Sequence, residues 1–126
     1  MTIAEIIDMV DDLKPNKFTD EQKISWLSDC DSVIFKDVIS THERQDGDPE
    51  TFSGYAADVD VSTKLLVDAP HDQLYRYYLE MQIDLYNKEI SNYNNTANIY
   101  NRAYADFASW YNREHMPRAV ATHFRL

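Results

Sequence analysis

Between Pro70 and Pro117 the chain contains neither glycine nor proline. A stretch of this length without either residue has to be read as helix, because sheets reverse every few residues through turns that Gly and Pro supply. Within it Leu79, Tyr86, Tyr93, Tyr100 and Phe107 recur every seven residues, and Ile83, Ile90, Ala97, Tyr104 and Tyr111 interleave with them at spacings of four and three. Two such series define one apolar seam along a helix. The seam passes through Asn94 and Asn95 without a break. The periodicity therefore predicts one long or bent helix of roughly 40 residues, about 60 Å in length, with a helical hairpin folding at residues 92–95 as the alternative.

The rest of the chain extends the helical reading. Thr2 with Glu5, and Thr19 with Gln22, have the spacing of capping boxes. Ile3, Ile6, Ile7, Val10 and Leu13 share one face of a first helix over about residues 3–13, which Lys14-Pro15-Asn16 breaks. Ile24, Leu27, Val33, Ile34 and Val38, with Trp26 and Phe35 beside them, predict a second helix to about Ser40. From His42 to Ala69 the periodicity lapses into an acidic, irregular loop, where Thr63 to Val67 reads as a short strand, half of a hairpin with residues 51–55. Pro70 suits the first turn of the next helix. With 2 Gly and 4 Pro in 126 residues, the fold class expected is all-α: two short N-terminal helices, an acidic loop, and a long C-terminal helix or helical hairpin. Residues 1–117 read as a single helical domain and 118–126 as a C-terminal extension.

Charge and motif content narrow the function. The net charge of −10 is unevenly distributed, −11 over residues 1–72 and +1 over residues 73–126. Such a field repels nucleic-acid phosphates, although it suits a surface past which DNA slides without sticking. Cys30 is the only cysteine, so no intrachain disulfide or multi-thiolate metal site is expected, and between Asp29 and Asp31 it reads as a packed helix residue with no reactive thiolate. No run of 18 apolar residues is present, so neither a signal segment nor a membrane span is expected, and the Asn94-Asn95-Thr96 sequon reads as a chance match. There is no Gly-rich phosphate loop, no G-x-S-x-G and no H-E-x-x-H. His42, His71, His115 and His123 lack metal-ligand spacing and read as surface or interface residues. The acids of Asp46-Gly47-Asp48-Pro49-Glu50, with Asp58 and Asp60, miss the EF-hand spacing and read as solvated. The expectation is a protein that is not an enzyme, with no catalytic residues, cofactor or metal.

The aromatic content points toward assembly. Eight of the nine tyrosines lie between residues 75 and 111. A rod of about 60 Å outruns the roughly 48 Å of its two shorter neighbours laid end to end, so part of its seam calls for another subunit, while an aromatic stripe at helical spacing reads equally as the core of a small bundle. Tyrosine suits contacts that are only partly dry. Tyr77, Tyr78, Tyr93, Tyr100 and Trp110 are the residues expected at a subunit interface. The extension from Arg118 carries Val120, Phe124, Arg125 and Leu126, a basic and apolar set that suits docking onto a partner.

Four blocks of sequence carry a resemblance: Lys23 to Ser28 (KISWLS), Leu65 to Tyr75 (LLVDAPHDQLY), Met81 to Asp84 (MQID) and Tyr111 to Pro117 (YNREHMP). Together they make the chain, from Thr2 to Pro117, similar to small proteins of tailed bacteriophages and prophages encoded near capsid and portal genes. The resemblance implies a head-tail connector, or adaptor: a helical virion protein present in the host cytoplasm during assembly and forming a ring of about a dozen copies under the portal. It implies as partners the portal, which the extension would engage, a tail or stopper protein, and DNA that passes through the ring without specific binding. Many proteins of that group carry glycine near the position of Lys88, and its absence here favours an uninterrupted helix. The alternative reading is an acidic DNA mimic or antitoxin-like protein that blocks a basic partner.

Overall fold

The computed structural model describes residues 1–118 and shows a small all-α bundle. Helix α1 spans Ile3–Leu13, α2 Asp20–Asp37, α3 Gln73–Tyr86 and α4 Ile90–Glu114, with one 3-10 turn at Ile39–Thr41. Both predicted capping boxes form. Thr2 Oγ1 accepts from Glu5 N at 3.2 Å while Glu5 Oε1 accepts from Thr2 N at 2.9 Å, and Thr19 and Gln22 repeat the arrangement at the same distances. Each box satisfies amides that a helix start leaves without partners.

Helix α3 is the hub, touching the other three helices, whereas α4 packs chiefly along α3. Ile3, Ile6 and Val10 of α1, Leu27 and Ile34 of α2, and Leu74, Leu79 and Ile83 of α3 are all fully buried in one continuous core. The acidic loop closes over this core through Leu65 and Val67, which are also buried. Gly54 lies close against α2: at a φ of 91°, a Cβ there would lie 2.7 Å from Ser28 Oγ, the atom that accepts from Tyr55 N. The expected pairing of residues 51–55 with 63–67 does not occur, and no strand forms among the described residues. The 61–65 segment pairs instead with the chain's first residues, Ile3 N donating to Thr63 O, Ala4 N to Val61 O and Leu65 N to Met1 O. The mouth of the α1 capping box thus supplies the edge that the loop uses. The last helix pair begins at Gln73, after a turn that contains Pro70.

The long rod is a hairpin, and it does not fold at the expected residues 92–95. The helix stops at Asn87, where Lys88 takes a φ of 61°. Lys88 N donates to Leu85 O at 3.1 Å and Glu89 N donates to Asp84 O at 2.9 Å. These two bonds make a Schellman motif, which satisfies the last carbonyls of α3 and reverses the chain. Its left-handed position is the one glycine usually fills, and it is held here by a lysine, so the missing glycine did not preserve the rod. Residues 92–95, where the alternative placed the fold, lie within the first turns of α4.

Candidate interaction site

Two buried carboxylates set the frame. Asp31, fully buried on α2, accepts from Tyr55 Oη at 2.5 Å, Tyr75 Oη at 2.6 Å and Leu66 N at 3.1 Å, drawing the loop and α3 onto α2. Burial raises its pKa above the ordinary aspartate value, and these three donors offset part of that rise. The phenols that serve it are raised in turn, by burial first and then by the charge of Asp31. Asp84, also fully buried, takes Lys14 Nζ from the end of α1 and Thr96 Oγ1 from α4 at 2.9 Å. It therefore ties α1 and the hairpin together just before the hairpin turn.

Against this frame the predicted interface residues fall into two sets. Tyr78, Tyr100 and Trp110 pack within the subunit. The rings of Tyr78 and Tyr100 meet edge to face at 5.2 Å, Tyr100 Oη lies 3.8 Å from Cys30 Sγ, and Trp110 lies against His71 at 5.1 Å and Phe107 at 6.2 Å. Burial lifts the Tyr100 phenol well above its usual range and that of Tyr78 to about 12. Tyr77, beneath the Arg76 guanidinium at 5.2 Å, and Tyr93 are half-buried but lie outside the core cluster. Cys30 itself is buried, and desolvation holds its thiol far above the ordinary value. The seam thus joins α3 to α4 more than it faces outward: Leu79, Ile83, Phe107 and Tyr111 are buried, while Tyr86 and Ile90 at the fold of the hairpin are 58% and 60% exposed. Tyr86 stacks on Trp26 at 5.5 Å, leaving its other side to solvent.

A second constellation, which the sequence reading missed, forms at the far end of α4. His42 and His115, expected at the surface, are buried. His42 Nδ1 donates to Val38 O at 2.6 Å, and Nε2 lies 2.5 Å from the side-chain amide oxygen of Asn112. His115 stacks flat on Tyr111 at 3.7 Å, with Nε2 at 2.9 Å from Asp48 Oδ2. Asp48, expected among the solvated loop acids, is half-buried and also accepts from Gln45 N at 2.9 Å. Burial first, then Asp48, pushes the Tyr111 phenol up to about 12. These partners fix the exit of the chain: Glu43 N donates to Met116 O and Arg118 N to Thr41 O, with an antiparallel bridge between His42 and Pro117. No local signal marked them, because His115 meets its acid 67 residues away and His42 its amide 70 residues away. Of the residues expected to engage a partner through the extension, Arg118 sits at this exit, whereas Val120, Phe124, Arg125 and Leu126 lie outside the described residues.

Among the described residues no group of three or more His, Cys, Asp or Glu side chains is arranged to hold a metal ion, and no helix is long and apolar enough to cross a membrane. The fold and these two constellations define a small all-α bundle whose last helix is attached along one side. No protein-family model matches the chain, and no curated protein or solved structure does either.

Proposed function

We propose that this chain is a structural protein of a tailed phage or prophage virion, a head-tail connector that assembles as a ring under the portal and joins the head to the tail. The observation that carries this reading is the state of α4. It is a helix of 25 residues in which only Thr96, Phe107 and Tyr111 are buried. Its exposed side presents the short uncharged residues Asn94, Asn98, Asn101 and Ala105, with Arg102, Asp106 and Arg113 among them. A helix about 37 Å long that its own subunit covers on one side, with short polar side chains and both signs of charge on the other, suits lateral contact with a second copy. Tyr77 on α3 and Tyr93 at the start of α4, half-buried and outside the core cluster, are the predicted interface residues with surface left for a partner, while Tyr78, Tyr100 and Trp110 pack against the core. The resemblance read in the sequence supplies the kind of assembly, and the charge of −11 over residues 1–72 suits a bore through which DNA moves without adhering.

The test is native mass spectrometry of the chain alone and mixed with the portal protein that this reading pairs with it. The expected result is a complex of portal with a closed ring of this chain, and Tyr77→Ala with Tyr93→Ala weakening ring formation by at least about tenfold, or 1.4 kcal/mol. A chain that never associates with that portal protein overturns the reading.

A further inference from the structure

A cleft of about 110 Å³ lies between the loop at residues 47–49, the 66–68 segment and the last turns of α4. Leu66, Phe107, Trp110 and Tyr111 give it apolar walls, and its polar side chains are Asp48, Asp68 and His115, with no lysine or arginine among the described residues that line it. Arg44 and Arg118 stand in the neighbouring cleft, where Glu50 lies 3.8 Å from Arg44. Asp68 is exposed and forms no ion pair among the described residues. Asp48 accepts from Gln45 N and lies 2.9 Å from His115 Nε2. Because a carboxylate only accepts, that contact puts the proton of the neutral His115 ring on Nε2 and leaves Nδ1 as a lone pair. Nδ1 is buried and finds no hydrogen-bond partner among the described residues, a cost that a ligand's donor would remove.

The cleft is thus rich in acceptors, poor in donors and walled by aromatic rings. Trp110 is half-buried, with its ring 6.2 Å from those of both Phe107 and Tyr111. The negative face of an indole and two carboxylates together attract a cation. The net charge of −10 acts in the same direction, favouring the approach of a basic partner. The space admits one side chain and excludes a helix or strand. A guanidinium meets the site more fully than an ammonium, since it is flat enough to stack on a ring and carries five donors for acceptors that point in different directions. We propose that this cleft binds a single arginine side chain projecting from a basic segment of a partner protein. Its guanidinium stacks on Trp110, donates to Asp48 and Asp68, and brings a donor to His115 Nδ1. The proposal is independent of the connector reading, since it concerns one subunit and its ligand.

The test titrates the full ¹⁵N-labelled chain with a capped pentapeptide that carries one arginine between glycines, beside its citrulline counterpart, in which a neutral urea of the same shape replaces the guanidinium. The chain has two tryptophans, and their indole N–H signals separate the cleft from the hairpin turn, where Trp26 stacks on Tyr86. The expected result is saturable shifts of the Trp110 indole and the His115 ring with Trp26 unmoved, a Kd below about 10 mM, and binding at least about tenfold weaker for the citrulline peptide. Asp68→Asn, an exposed change that retains the dispersed spectrum of the folded chain, is expected to weaken the arginine peptide about threefold. Equal binding of the two peptides, shifts that spare Trp110, no saturable shift with the arginine peptide, or unchanged affinity in Asp68→Asn overturns the proposal.

Discussion

Lys88 occupies a backbone conformation that costs a side chain with a Cβ about 1 kcal/mol, because the left-handed region crowds Cβ against its neighbouring carbonyl. Lys88→Gly is therefore expected to stabilise the chain by about 1 kcal/mol, read as a higher urea midpoint at unchanged slope. A lower midpoint would mean that the lysine side chain contributes more than its backbone strain removes. Asp31 is the opposite case, a residue whose surroundings were built for it. Asp31→Ala leaves Tyr75 Oη and Leu66 N short of an acceptor inside the protein and is expected to destabilise by about 2 kcal/mol or more. Its pH dependence has a definite sign. The folded pKa lies above the ordinary aspartate value, so between the two the folded state binds more protons than the unfolded chain, and this group favours folding increasingly as pH falls through that window. Compared with Asp31→Asn, the wild-type chain should gain relative stability on acidification toward about pH 4, measured by urea unfolding at a series of pH values.

Among the elements, the pairing of α3 with α4 depends on polar contacts as well as the seam. Thr96 Oγ1 reaches Asp84 Oδ2 at 2.9 Å across the two helices, and Thr96→Val, which preserves shape but removes the hydroxyl, is expected to cost about 1 to 2 kcal/mol by leaving a buried carboxylate one donor short. A cost near zero, by the same unfolding measurement, would show that Lys14 alone satisfies Asp84. The seam was legible in the sequence, but what it joins was not. A heptad stripe reads the same whether it runs along one rod or lines the inner faces of two antiparallel helices, since each helix presents the same face in both. The Schellman bonds at Lys88 and Glu89 decide between them, and these depend on a residue taking a conformation its type rarely adopts. The capping boxes at Thr2 and Thr19 were legible because both partners lie three residues apart.

For the whole molecule, a single continuous core predicts one cooperative thermal transition, seen alike by far-ultraviolet circular dichroism and tyrosine fluorescence. The four helices among the described residues end by Glu114, so deleting residues 118–126 should leave their signal nearly intact while, on the connector reading, abolishing attachment to portal in a pull-down. Retained attachment at unchanged affinity would remove the extension from that role. The sequence by itself determined the all-α class, the span of α1 and the face that buries Ile3, Ile6, Ile7 and Val10 but leaves Leu13 54% exposed, the start of α2 and both caps, because these follow from contacts between residues three to seven apart. Only the tertiary structure decided where the rod turns back, which tyrosines face inward, and that His42, Asp48 and His115 gather at the chain's exit. Those features rest on Lys14 with Asp84, Cys30 with Tyr100 and His42 with Asn112, each pair 70 residues apart, and on the burial that makes such distant contacts worth forming.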